Sequence, residues 1–169
     1  VTITNVNIVG GGGISVSDSR NLAIKNVIVS ASLGIKLGAS NSTVENATLY
    51  RIGIEIIGSN NLIIKNHITG YGSPGGGILL NLVGNDNVVA DNTIINSNPG
   101  VWAVILSYAL NNRICGNVIR GADIGLSIWG YTSTSNVISQ NNITDNGNGI
   151  ILYEGNNNNI SYNNFIHNG

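Results

Sequence analysis

Apolar and polar residues alternate with period two in short bursts along the whole chain. Each burst ends in a gap rich in glycine, asparagine or serine. One set reads Gly13-Ile14-Ser15-Val16, Gly34-Ile35-Lys36-Leu37, Gly53-Ile54-Glu55-Ile56, Gly77-Ile78-Leu79-Leu80, Ala103-Val104-Ile105-Leu106, Gly125-Leu126-Ser127-Ile128 and Gly149-Ile150-Ile151-Leu152. Period two describes a half-buried strand, whose side chains point alternately to opposite faces. No stretch sustains the i, i+3, i+4 spacing of a helix. Methionine is absent and Lys, Arg, Glu and Gln are few, so helix formers are scarce. The gap residues are those that turns require.

A second marker recurs at Asn5, Asn26, Asn46, Asn66, Asn92, Asn117, Asn141 and Asn163, at intervals of 20 to 26 residues. A fixed period of this size marks a repeat architecture. Coils of this length, with three short strands and three turns, predict an all-β, single-stranded right-handed parallel β-helix of about seven to eight coils. Adjacent coils stack about 4.8 Å apart, which makes a rod about 35–40 Å long. Each asparagine is expected at a bend, its amide bonding to its own turn and to the next coil. Asn26, Asn46, Asn66, Asn92, Asn117, Asn141 and Asn163 would thus form one internal ladder. Two inward columns flank it. The positions two before are Ile3, Ile24, Val44, Ile64, Ala90, Cys115, Ser139 and Ser161. The positions two after are Asn7, Ile28, Thr48, Ile68, Ile94, Ile119, Ile143 and Phe165.

Composition narrows the function classes. The chain has 169 residues with no linker, so residues 1–169 read as one domain. Charged residues are 9% and net charge is −1, which gives no basic stripe for nucleic acid or for an anionic membrane surface. No apolar run is long enough for a transmembrane segment. Cys115 alone cannot form an internal disulfide, and its inward position makes it a small buried hydrophobe. The chain opens on a strand and shows no polar cap at either end, so a mature or trimmed fragment is expected, or ends covered by a partner. Sequons at Asn41, Asn46, Asn142 and Asn159 follow from the Asn and Ser content alone.

Three columns could carry chemistry. The residues before each asparagine are Lys25, Glu45, Lys65, Asp91, Gly116, Gln140 and Tyr162. The first four alternate in sign, as a solvated charge ladder does. Glu45 and Asp91 would lie about 10 Å apart, but Lys65 between them would keep both ionised and unsuited to general-acid work. The outward positions of the Gly-Ile strands are Ser15, Lys36, Glu55, Leu79, Ile105, Ser127 and Ile151. Leu79 and Ile105 are apolar neighbours that the turns at 71–76 and 96–100, or a partner, could cover. Finally, five of the eight Tyr and Trp lie between Trp102 and Tyr153. Trp129 and Tyr153 occupy the same place in adjacent coils and should stack. With Tyr108, Tyr131 and Glu154 nearby, they make either rim packing or a sugar-stacking surface. No His, Cys or carboxylate cluster has metal-ligand spacing, and no cofactor motif appears.

The stretches from Asn136 to Tyr153 (Asn-Val-Ile-Ser-Gln-Asn-Asn-Ile-Thr-Asp-Asn-Gly-Asn-Gly-Ile-Ile-Leu-Tyr) and from Asn159 to Asn168 resemble the parallel β-helix repeats of NosD-like and carbohydrate-binding/sugar-hydrolysis domains, within the pectate-lyase-like superfamily. That resemblance implies an extracellular or cell-surface setting and a link to polysaccharide. The family's clustered acids have no counterpart among Asp18, Asp86, Asp123 and Asp145. The favoured expectation is therefore a non-catalytic carbohydrate-binding or scaffold module. A polysaccharide lyase or hydrolase is the alternative, and a subunit that self-associates end to end is the third.

Overall fold

The structure is a computed structural model that describes residues 1–70, 78–97 and 100–169, with residues 78–80 as main chain only. The turns expected at 71–76 and 96–100 lie wholly or partly outside the described residues, as does the side chain of Leu79. The described residues form strands and turns with no helix, as expected for a right-handed parallel β-helix. Each coil places one strand in each of three parallel sheets. The first sheet has eight strands, from Thr2–Thr4 to Asn159–Ser161. The second also has eight, from Asn7–Val9 to Asn164–Ile166. The third has seven, from Ile14–Val16 to Asn148–Leu152. Seven coils therefore carry all three strands and the eighth carries two.

The interior is filled by stacked aliphatic columns. Ile24, Val44, Ile63, Val89, Ile114 and Ile138 line the first sheet, and Val29, Leu49, Ile68, Ile94, Ile119 and Ile143 line the second. Ile35, Ile54, Val104 and Leu126 belong to the third. Each such side chain, fully buried, contributes about 1.5–3 kcal/mol of transfer free energy. Adjacent coils bury them against one another, so no coil could hold its core alone.

The bends between sheets pose a different problem, because buried backbone N–H groups there need acceptors. Asparagine supplies them. The Oδ1 of Asn66 accepts from the N–H of Ala47 one coil back at 2.9 Å. Asn92 accepts from both the main-chain N–H and the amide Nδ2 of Asn66, each at 2.9 Å. Asn117, Asn141 and Asn163 repeat the arrangement. A second ladder lies five residues earlier in each coil, at Asn61, Asn87, Asn112, Asn136 and Asn158, with every main-chain link at 2.9 Å. A short third one joins Ala122, Asn146 and Asn168 at 3.0 and 3.1 Å. Only the first is expected from the sequence marker, yet a five-residue offset from that marker finds the other two.

Asn26 and Asn46 do not belong to the buried ladder. Strand pairing sets Glu45 opposite Ile64, so Asn46 stacks beside Lys65, and Asn66 stacks beside Ala47. The coil step here is 19 residues, one fewer than the interval between the two asparagines. Asn5, Asn26 and Asn46 are the bend residues themselves, in left-handed backbone at φ 55°, 53° and 52°. From the fourth coil on, Lys65, Asp91, Gly116, Gln140 and Tyr162 take the bend, also at positive φ, and the next residue is the ladder asparagine. Asparagine serves both places, since it tolerates left-handed backbone and carries a bonding amide.

The slip corrects both inward columns. Ile64, Ala90, Cys115, Ser139 and Ser161 sit one place beyond the core, which is filled by Ile63, Val89, Ile114, Ile138 and Ile160. Asn7, Ile28 and Thr48 likewise lie outside Ile8, Val29 and Leu49. Cys115 is consequently half-buried on an outer face, where its Sγ lies 3.4 Å from the Arg113 Nε. A one-residue shift turns every side chain to the opposite face.

Replacing Asn117 by Ala leaves the N–H of Asn92 without an acceptor and cuts the amide chain on both sides. Equilibrium denaturation should show a loss of about 2–4 kcal/mol. Asn46→Gly keeps the left-handed bend and should stay within about 0.5 kcal/mol of the natural protein.

Candidate functional site

The outer face of the third sheet carries one row of side chains in strict register. Ser15, Lys36, Glu55, Asn81, Ile105, Ser127 and Ile151 stand opposite one another coil by coil. Asn81 occupies the place expected for Leu79. Ile54 pairs with Leu80 rather than Ile78, because this coil is longer by an insertion that the Gly-Ile marker does not reveal. The apolar Leu79–Ile105 neighbourhood is therefore replaced by a polar–apolar one.

Lys36 and Glu55 form an ion pair at 2.9 Å, both partly exposed. Such a pair adds little stability, but it occupies the only cation of this row. Further along, Ile105 and Ser127 face outward and are nevertheless buried, at 4% and 0% exposure. Aromatic rings stand over this part of the sheet. Trp129 and Tyr153 lie 4.6 Å apart between ring centroids, as the coil register requires. Trp102, from the start of the Trp102–Ser107 strand, joins them at 6.1 Å from each, nearly parallel to Tyr153 at 18°. The sequence marks Trp102 as one of the clustered aromatics but gives no sign that its ring reaches two coils onward.

The rings frame an open depression of ≈ 210 Å³ lined by Asn81, Trp102, Ile105, Ser107 and Trp129. Asn81 also lines an adjoining one of ≈ 210 Å³, with Leu33, Ile52, Gly53, Ile54 and Glu55. The two depressions meet at Asn81, the one residue that lines both. Asn81 Oδ1 and Ser127 Oγ are buried and, among the described residues, have no hydrogen-bond partner. A buried polar atom without a partner is costly and calls for an explanation. A larger depression of ≈ 310 Å³ lies near the first coils, lined by Gly10, Gly11, Ser30, Ala31, Ser32, Arg51 and Ile52. It has neither aromatic rings nor an unpartnered buried polar atom.

The remaining candidates fall elsewhere. Tyr108 and Tyr131 pair edge to face at 6.0 Å and are exposed. Gly130 makes this possible, since a Cβ there would meet the Tyr108 ring at 2.6 Å. Among the described residues no ring contact joins this pair to the three-ring cluster. Glu154 is exposed beside Tyr153. The charge column breaks at the register slip: Lys25 and Glu45 pair at 2.9 Å, whereas Lys65 stacks with Asn46 and Asp91. The Lys25 hydrogen bond and charge hold Glu45 below its ordinary carboxylate range, opposed by slight desolvation and aided by the more distant charge of Lys65. His167 pairs with Asp145 at 3.4 Å on an exposed corner. Among the described residues no helix is long and apolar enough to cross a membrane.

The chain matches the model of the right-handed β-helix region over residues 1–166. A search of curated protein sequences finds no match. Among solved structures, the A-module of the mannuronan C-5 epimerase AlgE6 of Azotobacter vinelandii superposes with a TM-score of 0.63 at 15% identity. The superposition covers 97% of this chain and 57% of that one. At that identity the likeness speaks for the fold.

Glu45 supplies a test of the charge column. A carboxylate with a lowered folded-state pKa stabilises the fold above its unfolded pKa and loses that contribution as pH falls through the folded value. Lys25→Gln should move the Glu45 midpoint upward in a carboxyl-resolved NMR titration. The stability difference from the natural protein should shrink as pH falls through that midpoint.

Proposed function

We propose that this chain, which belongs to the right-handed β-helix family, is a non-catalytic polysaccharide-binding module acting outside the cell or at its surface, with the outer face of the third sheet as its binding surface. The observation that carries this reading is the coincidence of three features on one face. Trp102, Trp129 and Tyr153 form a ring cluster, two depressions that share Asn81 lie beside it, and on the same row, among the described residues, Asn81 Oδ1 and Ser127 Oγ are buried without hydrogen-bond partners.

Each feature suits a saccharide. Sugar rings offer C–H faces that pack on aromatic rings, and Trp and Tyr give large rigid contact areas with few torsions to freeze. The hydroxyls at the sugar rim both donate and accept, which suits the polar side chains that line the depression, Asn81 and Ser107. The two depressions draw their lining from successive coils about 4.8 Å apart, which suits a linear chain better than a single terminal sugar. The one carboxylate of the row, Glu55, is held by Lys36, which favours binding over acid–base chemistry. The mannuronan epimerase module of similar fold acts on a polysaccharide, and that agrees with the ligand class without fixing the reaction.

Trp129→Ala tests the reading. Removing a central aromatic anchor should cost about 2 kcal/mol, or about 30-fold in affinity. The measurement is affinity electrophoresis or calorimetry against a panel of soluble polysaccharides, with Tyr131→Ala as the control that should bind normally. Equal binding by Trp129→Ala and the natural protein would remove this face from consideration.

A further inference from the structure

We infer that the depression at the bend between the second and third sheets, in the first three coils, is an oxyanion site read by the Arg51 guanidinium. Its ligand is a carboxylate or sulfate group. The site is independent of the binding face proposed above, whose rings stand further along the rod.

Backbone geometry singles out Arg51. The bend after the second-sheet strand passes through left-handed backbone at Gly10, Arg51, Gly121 and Asp145. Glycine takes this conformation freely, and aspartate tolerates it. Arginine gains nothing from it. The φ of Arg51 is 77°, whereas every other non-glycine residue at positive φ among those described lies between 48° and 59°. Arg51 thus stands outside the ordinary left-handed region. A strained residue kept where glycine would serve indicates a task for its side chain.

The surroundings say which task. The Arg51 side chain is exposed and lines the depression of ≈ 310 Å³, which contains no carboxylate in its lining. Among the described residues Arg51 has no ion pair. The two acids of its own coil, Glu45 and Glu55, are each held at 2.9 Å by a lysine of the coil before, Lys25 and Lys36. Two further donors line the depression, the Ser30 hydroxyl and the Gly11 N–H. Neither donates to a protein group among the described residues. The Ser32 hydroxyl is spent on the Gly11 carbonyl and ties the first coil to the second. The lining therefore presents an unpaired planar fork of N–H donors with a hydroxyl and a main-chain N–H beside it. That set matches a group that only accepts and carries negative charge, since charge-assisted bonds are about twice as strong as neutral ones and the guanidinium fork fits two oxygens at once. A neutral sugar would leave the charge unpaired.

The test follows the Arg51 Nε–H signal and the Gly11 and Ser32 amides by NMR. Sodium sulfate and sodium acetate are the free ions, glucose 6-sulfate and glucuronate their sugar-borne forms, and sodium chloride and glucose the controls at matched ionic strength. The expected result is a saturable shift with the oxyanions and none with either control. Arg51→Gly should abolish it, with a denaturation midpoint equal to or above that of the natural protein. Arg51→Lys keeps the charge without the fork and should bind about tenfold more weakly. Tighter binding of the sugar-borne forms identifies a glycan as the source of the oxyanion, and tighter binding of the free ions identifies the ions themselves; either outcome supports the site. Shifts that do not saturate, or that chloride reproduces, would overturn it. Saturable binding that survives in Arg51→Gly would overturn the role of Arg51, and a lowered midpoint in that variant would show that Arg51 serves the fold instead.

Discussion

Everything in this molecule depends on satisfying backbone N–H groups at the bends. The strands satisfy their own amides through parallel pairing. The corners between sheets cannot, because the chain turns there and neighbouring coils differ in length. A buried asparagine solves this by accepting from the coil before it and donating to carbonyls further back, as Asn92 does with Asn66 and with the Ile63 carbonyl at 2.9 Å. Stacked amides fix the axial register more tightly than aliphatic packing could, because an aliphatic column tolerates sliding and a hydrogen bond does not. The register in turn decides which side chains meet on the outside.

The repeat was legible because asparagine and alternating apolar residues recur at a spacing no helix could produce. Trp129 beside Tyr153 and Lys36 beside Glu55 follow directly from that spacing. The first three coils misled in one respect: an asparagine in the bend and an asparagine after it are one residue apart and chemically identical in a sequence. Asn46 and Asn66 look like successive rungs, but their environments are a left-handed exposed turn and a buried hydrogen-bonding site. The same ambiguity drew Ile64 and Cys115 into a core that Ile63 and Ile114 fill. Asn81 escaped notice for a different reason. It lies two places beyond Leu79, the outward position that the Gly-Ile marker indicates, in the coil that carries an insertion, where marker and register part company.

The groove on the third sheet is a consequence of that register. Ile105 and Ser127 face outward from their strands and are nevertheless buried, in the part of the sheet where the three rings cluster. A ring from the start of one strand and rings from the ends of the next two strands converge there, so the surface is assembled from three coils and no short motif encodes it. Among the described residues its polar lining consists of Asn81, Ser107 and the ion-paired Glu55.

The proposed binding reading places the ligand on this one face among three. Amide chemical-shift mapping during titration with an oligosaccharide of any polysaccharide that binds in affinity electrophoresis checks this. The largest changes should fall on Asn81, Ile105, Ser107, Trp129 and Tyr153, together with the indole N–H signals of Trp102 and Trp129. Changes confined to the first or second sheet, or to the Tyr108–Tyr131 corner, would contradict it.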